Sequence, residues 1–333
     1  MQSNALENGE ADPLFASDDL IEMTIEAPLS SIMRERSIEE ETAAKLRYSN
    51  SDGNIIEHEI GIRARGGYRR DPDVCNFAPL RLNFKKSQTA NTLFAHQDKL
   101  KLVTHCQTNS PKYEQHLMTE FLAYRILNLV TDLSFRVRLL RVTYVDTARE
   151  NRTLVRLAMI SEHRDRLAKR TSSAVVSTGI IEYKQLVNAY TNIISVFHYF
   201  IGNTDYSPIA PAPGDDCCHN HSLFTSKGKR YVSIPFDFDM SGFVYADHAI
   251  SNPRFKIRNV RQRRYRGRCF NNFYVATSVG KFFEQRDNIY ALIKSQELLT
   301  DTTRGRLTRY VDDFFESLDS PDSIEKTLVR NCT

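Results

Sequence analysis

Four polar side chains in the second half of the chain have the types and the order that metal-assisted phosphate chemistry requires. Asp205 follows an apolar run in FIGNTDYS, Asn220 stands in HNHSLF, and Asp237 and Asp239 share the stretch IPFDFDMSG. Carboxylates and an amide supply hard oxygen donors, which suit Mg²⁺ or Mn²⁺ held against phosphate oxygens. Phosphoryl transfer asks a protein for little covalent chemistry. It needs a carboxylate to accept or orient the attacking hydroxyl, and ligands that fix the metal. Together the four read as a site in which carboxylates and an amide hold a divalent metal against a phosphate. Asp239 is either a further ligand or an acid that caps the turn. A single acid after a helix commonly serves as a cap, so the reading rests on the ordered set.

The elements that must position this set follow from the hydrophobic pattern. In EYKQLVNAYTNIISVFHYFIGN, the residues Leu186, Tyr190, Ile193, Ile194, Phe197 and Phe200 form one apolar stripe. That spacing predicts a helix stopping at Gly202-Asn203, just before Asp205. A loop with three prolines then leads to Asn220. Short strands HSLF and RYVSIPF, around the turn TSKGK, deliver Asp237. Two further amphipathic helices are expected over 273–296 and 303–318.

The first half reads differently. LIEMTIEAP, HEIGIRARGG, PLRLNFKK, DKLKLVTHC, VRLLRVTYVD and LVRLAMISEH are expected strands, the last two forming a hairpin through DTARENRT. In PLRLNFKK, Leu80, Leu82 and Phe84 share one face and Arg81 points to the other. Gly66-Gly67 ends a strand and marks either a phosphate-covering turn or a plain hairpin. Tyr113 to Val130 is the one long helix here, and Glu120 lies on it. Ser31 to Leu46 reads as a short helix or ordered loop, and SEHRDRLAKR as a charged exit from the last strand. The expected organisation is α+β: a flexible leader over 1–18, a β-rich lobe over 19–170 and a mainly helical lobe over 171–333 carrying the catalytic and metal-binding loops.

Composition narrows the class. With 333 residues, 41% apolar and 26% charged, the chain has the make-up of a globular protein that needs no disulfide to hold its core. No apolar run approaches the length of a transmembrane helix, and MQSNALENGEADP has no basic or apolar signal region. The net charge of +4 is too small to imply nucleic acid. It is unevenly spread, however. Arg254 to Arg268 carries eight Arg or Lys and no acid, a site for an acidic or phosphate-rich partner or a solvated basic loop. The six cysteines include no CxxC pair, so a zinc ribbon is not expected. Adjacent Cys217 and Cys218, beside His219 and His221, read as metal ligands, loop thiols or bridge partners.

The order Asp, Asn, two short strands, Asp is that of protein kinases. Here the gap from Asp205 to Asn220 is 15 residues, longer than the usual spacing of about five. The series IGIRARGGYRR, APLRLNFKK, DKLKLVTHC, the long helix, SEHRDRLAKR, FIGNTDYS, HNHSLF and IPFDFDMSG resembles the spore coat protein H (CotH) kinase-like family, over roughly Leu20 to Val244. The resemblance implies a two-lobed protein-kinase-like fold that binds ATP with Mg²⁺ or Mn²⁺ and phosphorylates Ser or Thr of a protein substrate. It makes Asp205 the base, Asn220 and Asp237 metal ligands, and Asp239 a second-rank ligand. Arg81 falls where the α/β-phosphates are held, an Arg in place of the usual kinase lysine. Glu120 would be its helix partner, and Glu162 would lie near the adenine. The stretched loop and the missing lysine also suit a catalytically silent ATP-binding module. A metal-dependent hydrolase or a polyanion-binding envelope protein is the reading from another class. The resemblance and the even cysteine count favour a secreted or envelope location.

Overall fold

The computed structural model describes residues 9–212, 216–226 and 230–333. The chain divides into two compact units: Glu10–Leu117 with Arg136–Arg166, and Met118–Phe135 with Leu167–Thr333 and Gly9.

The first unit is built on seven strands: β1 (Ile21–Ala27), β2 (Thr42–Ser49), β3 (Ile55–Ala64), β4 (Leu80–Phe84), β5 (Lys99–Val103), β6 (Val137–Asp146) and β7 (Arg152–Ser161). They close into a barrel in the order β1-β2-β3-β4-β5-β7-β6. Six of the neighbour pairs are antiparallel, and β1 with β6 closes the ring in parallel register from Ile21↔Leu140 to Ala27↔Asp146. Alternation explains why it closes. Leu80, Leu82 and Phe84 of β4, like Ile60 and Ile62 of β3, point into one shared core, and closure leaves no sheet edge unpaired.

The sequence reading missed β2. Its TAAKLRYS lies partly inside the stretch expected as helix or loop. Only α1 (Leu29–Glu35) is helical there, while Ala44, Leu46 and Tyr48 alternate inward. Two charged strand residues and two alanines disguise the period. The expected leader also differs. Residues 1–8 lie outside the described residues, but Leu14 and Phe15 are buried in a short 3₁₀ turn, and Asp12 receives Arg166 Nε at 2.6 Å.

After the short α2 (Lys86–Thr89), the long helix α3 runs over Lys112–Val130. It passes from the first unit to the second at Met118 rather than belonging wholly to a β-rich lobe. The charged exit SEHRDRLAKR is a helix, α4 (Arg164–Arg170).

The second unit is mainly helical. A small sheet orders β10 (Tyr231–Pro235), β9 (His221–Thr225) and β8 (Val175–Val176). Helices α5 (Asn188–Ile201), α6 (Val275–Glu284), α7 (Arg286–Ser295), α8 (Asp301–Ser317) and α9 (Pro321–Thr327) supply the rest. The single helix expected over 273–296 is thus two, parted at Gln285. Phe200 of α5 packs on Phe314 at 4.8 Å and on Phe282 at 5.5 Å. Helix α5 ends at Gly202, whose φ of 63° is the left-handed cap geometry. A Cβ there would collide with the Tyr310 hydroxyl.

The architecture is therefore α+β, with a β-rich N-terminal region and a helical C-terminal region. All six cysteines are bridged, as Cys75–Cys106, Cys217–Cys218 and Cys269–Cys332. No described helix is long and apolar enough to cross a membrane.

Candidate active site

The end of α5 is organised to present a carboxylate. Asn203 Oδ1 accepts the Asp205 N–H at 2.9 Å, turning the chain directly after the helix cap. Arg266 then donates to the carbonyls on both sides of Asp205, Thr204 O and Tyr206 O, at 3.0 Å each. Its guanidinium lies over the Tyr206 ring, 4.2 Å from the centroid. The Asp205 side chain stays 37% exposed, so the carboxylate reaches solvent.

Asn220 comes to Asp205 across the loop. Its Nδ2 donates to Asp205 Oδ2 at 3.0 Å and to Asp205 O at 2.8 Å. That fixes the amide orientation, with Nδ2 as the atom engaged by Asp205. The other Asp205 oxygen, Oδ1, lies 2.8 Å from His219 Nε2. The stretched loop thus brings together the two residues that sequence order paired, and adds a histidine that it did not. Asn220 holds a left-handed φ of 53°, a conformation Asn tolerates better than most residues.

The hairpin connects this pair to Asp237. Phe236 N–H donates to Asn220 O at 2.9 Å, so the residue before Asp237 is tied to the second member of the set. Asp237 itself has φ 63°, and its N–H is received by Tyr124 Oη at 2.8 Å. Tyr124 also packs on Phe238 at 4.5 Å. The alternation Asp-Phe-Asp therefore buries the aromatic beneath the turn. Asp239 takes a different partner. It is nearly buried, and its Oδ2 lies 3.0 Å from His248 Nε2.

Beneath Asn220 lies a pair of buried imidazoles. His221 Nε2 and His198 Nε2 are 3.0 Å apart, and His221 Nδ1 faces Ser233 O at 3.2 Å and Ser233 Oγ at 3.0 Å. A carbonyl only accepts, and Ser233 Oγ donates to Pro208 O at 3.1 Å. His221 therefore carries its proton on Nδ1 and accepts from His198 Nε2–H. Burial holds the His221 pKa down to about 3 and the His198 pKa well below its usual range, so both are neutral. His198 also stacks on Tyr206, 3.6 Å between centroids. The pair joins α5 to the start of β9, immediately after Asn220. Sequence reading missed it because 23 residues separate the histidines and no motif marks them.

Of the alternatives for Cys217 and Cys218, the structure shows the bridge, which leaves neither thiolate for a metal, and His219 and His221 face Asp205 and His198. Among the described residues, no group of three or more His, Cys, Asp or Glu side chains is placed to hold a metal ion.

In the barrel unit, Arg81 projects from β4 away from the core. It stands in the cross-strand row Arg63↔Arg81↔Lys101, a concentration of positive charge on the outer face. Gly66, with φ 86°, and Gly67 have open space around them. They lead into a 3₁₀ turn at Tyr68–Arg70 rather than a tight hairpin. Arg36 Nη1 anchors the loop beyond through Cys75 O at 2.9 Å. Glu162 is buried and accepts the Arg136 N–H at 3.1 Å, bracing the barrel rim. Glu120, in the other unit, is buried on α3 rather than solvated.

The basic segment is only partly solvated. Arg263 donates to Phe200 O at 3.2 Å and lies 3.9 Å from the Tyr310 ring centroid, whereas Arg254, Lys256, Arg258, Arg261 and Arg264 are exposed. Compared with protein-family models and with curated proteins, the chain matches none.

Proposed function

We propose that the chain is an ATP- and divalent-metal-dependent phosphotransferase, a kinase-like enzyme with a two-lobed arrangement that transfers phosphate to a Ser or Thr hydroxyl of a protein. The observation that carries this reading is the Asp205–Asn220 contact at 3.0 Å, linked through Phe236 to the hairpin end that bears Asp237.

Asp205, solvent-reaching and held by Asn220, is the base that orients the acceptor hydroxyl. The Asn220 amide oxygen and the Asp237 carboxylate are hard oxygen donors and fit Mg²⁺ or Mn²⁺, with phosphate and water oxygens completing the shell. When bound, the metal supplies charge neutralisation at the phosphates. Asp239, engaged with His248, steadies the turn. Arg81, with Arg63 beside it, supplies positive charge for the ATP phosphates. Gly66-Gly67 covers them and Glu162 lies toward the adenine. The exposed arginines of the basic segment dock an acidic or phosphate-rich protein partner.

Labelled ATP with Mg²⁺ or Mn²⁺ is the direct test. Transfer to the protein itself or to a general acceptor is expected, and Asp237→Ala removes at least 100-fold of it, on the order of a lost transition-state contact. Equal label in both proteins ends the proposal. A second reading, a silent ATP-binding module, is favoured by His219 standing on the Asp205 carboxylate. It predicts a thermal shift with ATP and Mn²⁺ but no transfer.

A further inference from the structure

At the end of the barrel where β1 and β6 finish, the unit Glu10–Leu117 with Arg136–Arg166 holds a cavity of about 480 Å³. Barrel mouths are common ligand sites, and this volume falls within the range of small-molecule pockets. Leu29, Met33, Phe77 and Leu154 give it apolar walls, and Arg34, Arg149 and Arg152 line it with positive charge.

Two features mark it as built for a ligand. Tyr144 lines the cavity from β6 and is 1% exposed, yet its hydroxyl has no hydrogen-bond partner. A buried hydroxyl normally has one, because leaving it unmade is costly. Burial also raises the phenol pKa, so this group meets a ligand as a donor. The charge points the same way. The only acid in the lining, Asp146, turns its oxygens to the Ser30 and Ala148 N–H groups, at 3.2 Å each. Arg34 lies 3.6 Å from Glu35 in an exposed pair. Arg149 and Arg152 are exposed, and no carboxylate pairs with either among the described residues.

We propose that this cavity binds a small organic anion with an apolar body and one terminal carboxylate or phosphate. The body lies between Phe77 and Leu154, the Tyr144 hydroxyl donates to an oxygen of the ligand, and Arg149 and Arg152 hold the anionic end. The site lies wholly within the barrel unit and does not depend on the phosphotransferase reading.

A matched pair of fluorescent probes separates the apolar from the ionic contribution. 8-Anilinonaphthalene-1-sulfonate carries fused rings and an anion, and N-phenyl-1-naphthylamine carries the rings alone. Saturable one-to-one binding of the sulfonate is expected, about tenfold or more tighter than the neutral probe. Arg149→Gln with Arg152→Gln removes that advantage and leaves the neutral probe unchanged. Both positions are exposed, so the melting temperature stays as in the parent. Tyr144→Phe weakens the sulfonate by a smaller factor, and Leu154→Trp, which fills the space, displaces both probes. Decanoate and decyl phosphate then compete for bound sulfonate, and the stronger competitor identifies the terminal group. Sulfonate binding that is absent, unsaturable, no tighter than the neutral probe, or unchanged in the double arginine variant overturns the proposal. Failure of both competitors does the same.

Discussion

At the scale of single residues, the site depends on two backbone conformations as much as on side chains. Asn220 and Asp237 both have left-handed φ, 53° and 63°, which ordinary residues adopt at a cost of about 1 kcal/mol or more. That separates two roles of Asn220. Asn220→Gly keeps the backbone geometry and loses the amide, whereas Asn220→Ala loses both. The glycine variant is expected to be more stable than the alanine variant by about 1 kcal/mol in urea unfolding, while both lose metal-dependent phosphate transfer. Equal stabilities would refute the backbone role. The pairing of Asp205 with Asn220 was legible from their types and order. The contacts that His219, His198 and His221 make were not, since a histidine that pairs through space leaves no periodic trace. Glu162, placed near the adenine by the resemblance alone, has a carboxylate that accepts the Arg136 backbone N–H.

At the scale of elements, strong periodicity was readable and weak periodicity was not. Helices α3 and α5 and strands β4, β6 and β7 follow from their apolar spacing. Strand β2 did not, because Ala44 is a poor strand former and Lys45 and Arg47 lie on the outer face. Barrel closure was beyond the pattern. It requires β1 to pair with β6, more than a hundred residues away, in parallel, and a single strand's alternation does not name its neighbour. The C-terminal elements are tied by a long covalent loop, Cys269 to Cys332 with a separation of 63 residues. Chain-entropy reasoning gives such a loop about 4 kcal/mol of stabilisation. Cys269→Ser with Cys332→Ser should lower the unfolding free energy by that order, measured by urea titration without reductant. A loss below about 1 kcal/mol would show that the helices hold this end without the bridge.

For the whole molecule, acid sensitivity follows from histidines buried without charge in both units. In the barrel unit His105 is 1% exposed, and burial, with the charges of Arg156 and Arg69, lowers its pKa to about 3. In the helical unit, burial lowers His221 to about 3 and His198 in the same direction. In the unfolded chain each titrates near its ordinary value of about 6.5. Above that pH neither state is protonated and the stability is complete. As pH falls from about 6.5 toward 3, the unfolded chain takes up protons that the folded chain refuses, and stability is lost across that window. Between pH 7.5 and 5.5 the linkage amounts to about 1.4 kcal/mol for each such histidine. Urea unfolding of the parent and of His105→Gln at these two pH values isolates one of them. The variant, lacking the titrating ring, should lose about 1.4 kcal/mol less than the parent over the interval. A parent and variant that lose the same amount would remove His105 from the account, and a parent as stable at pH 5.5 as at 7.5 would remove the buried histidines altogether.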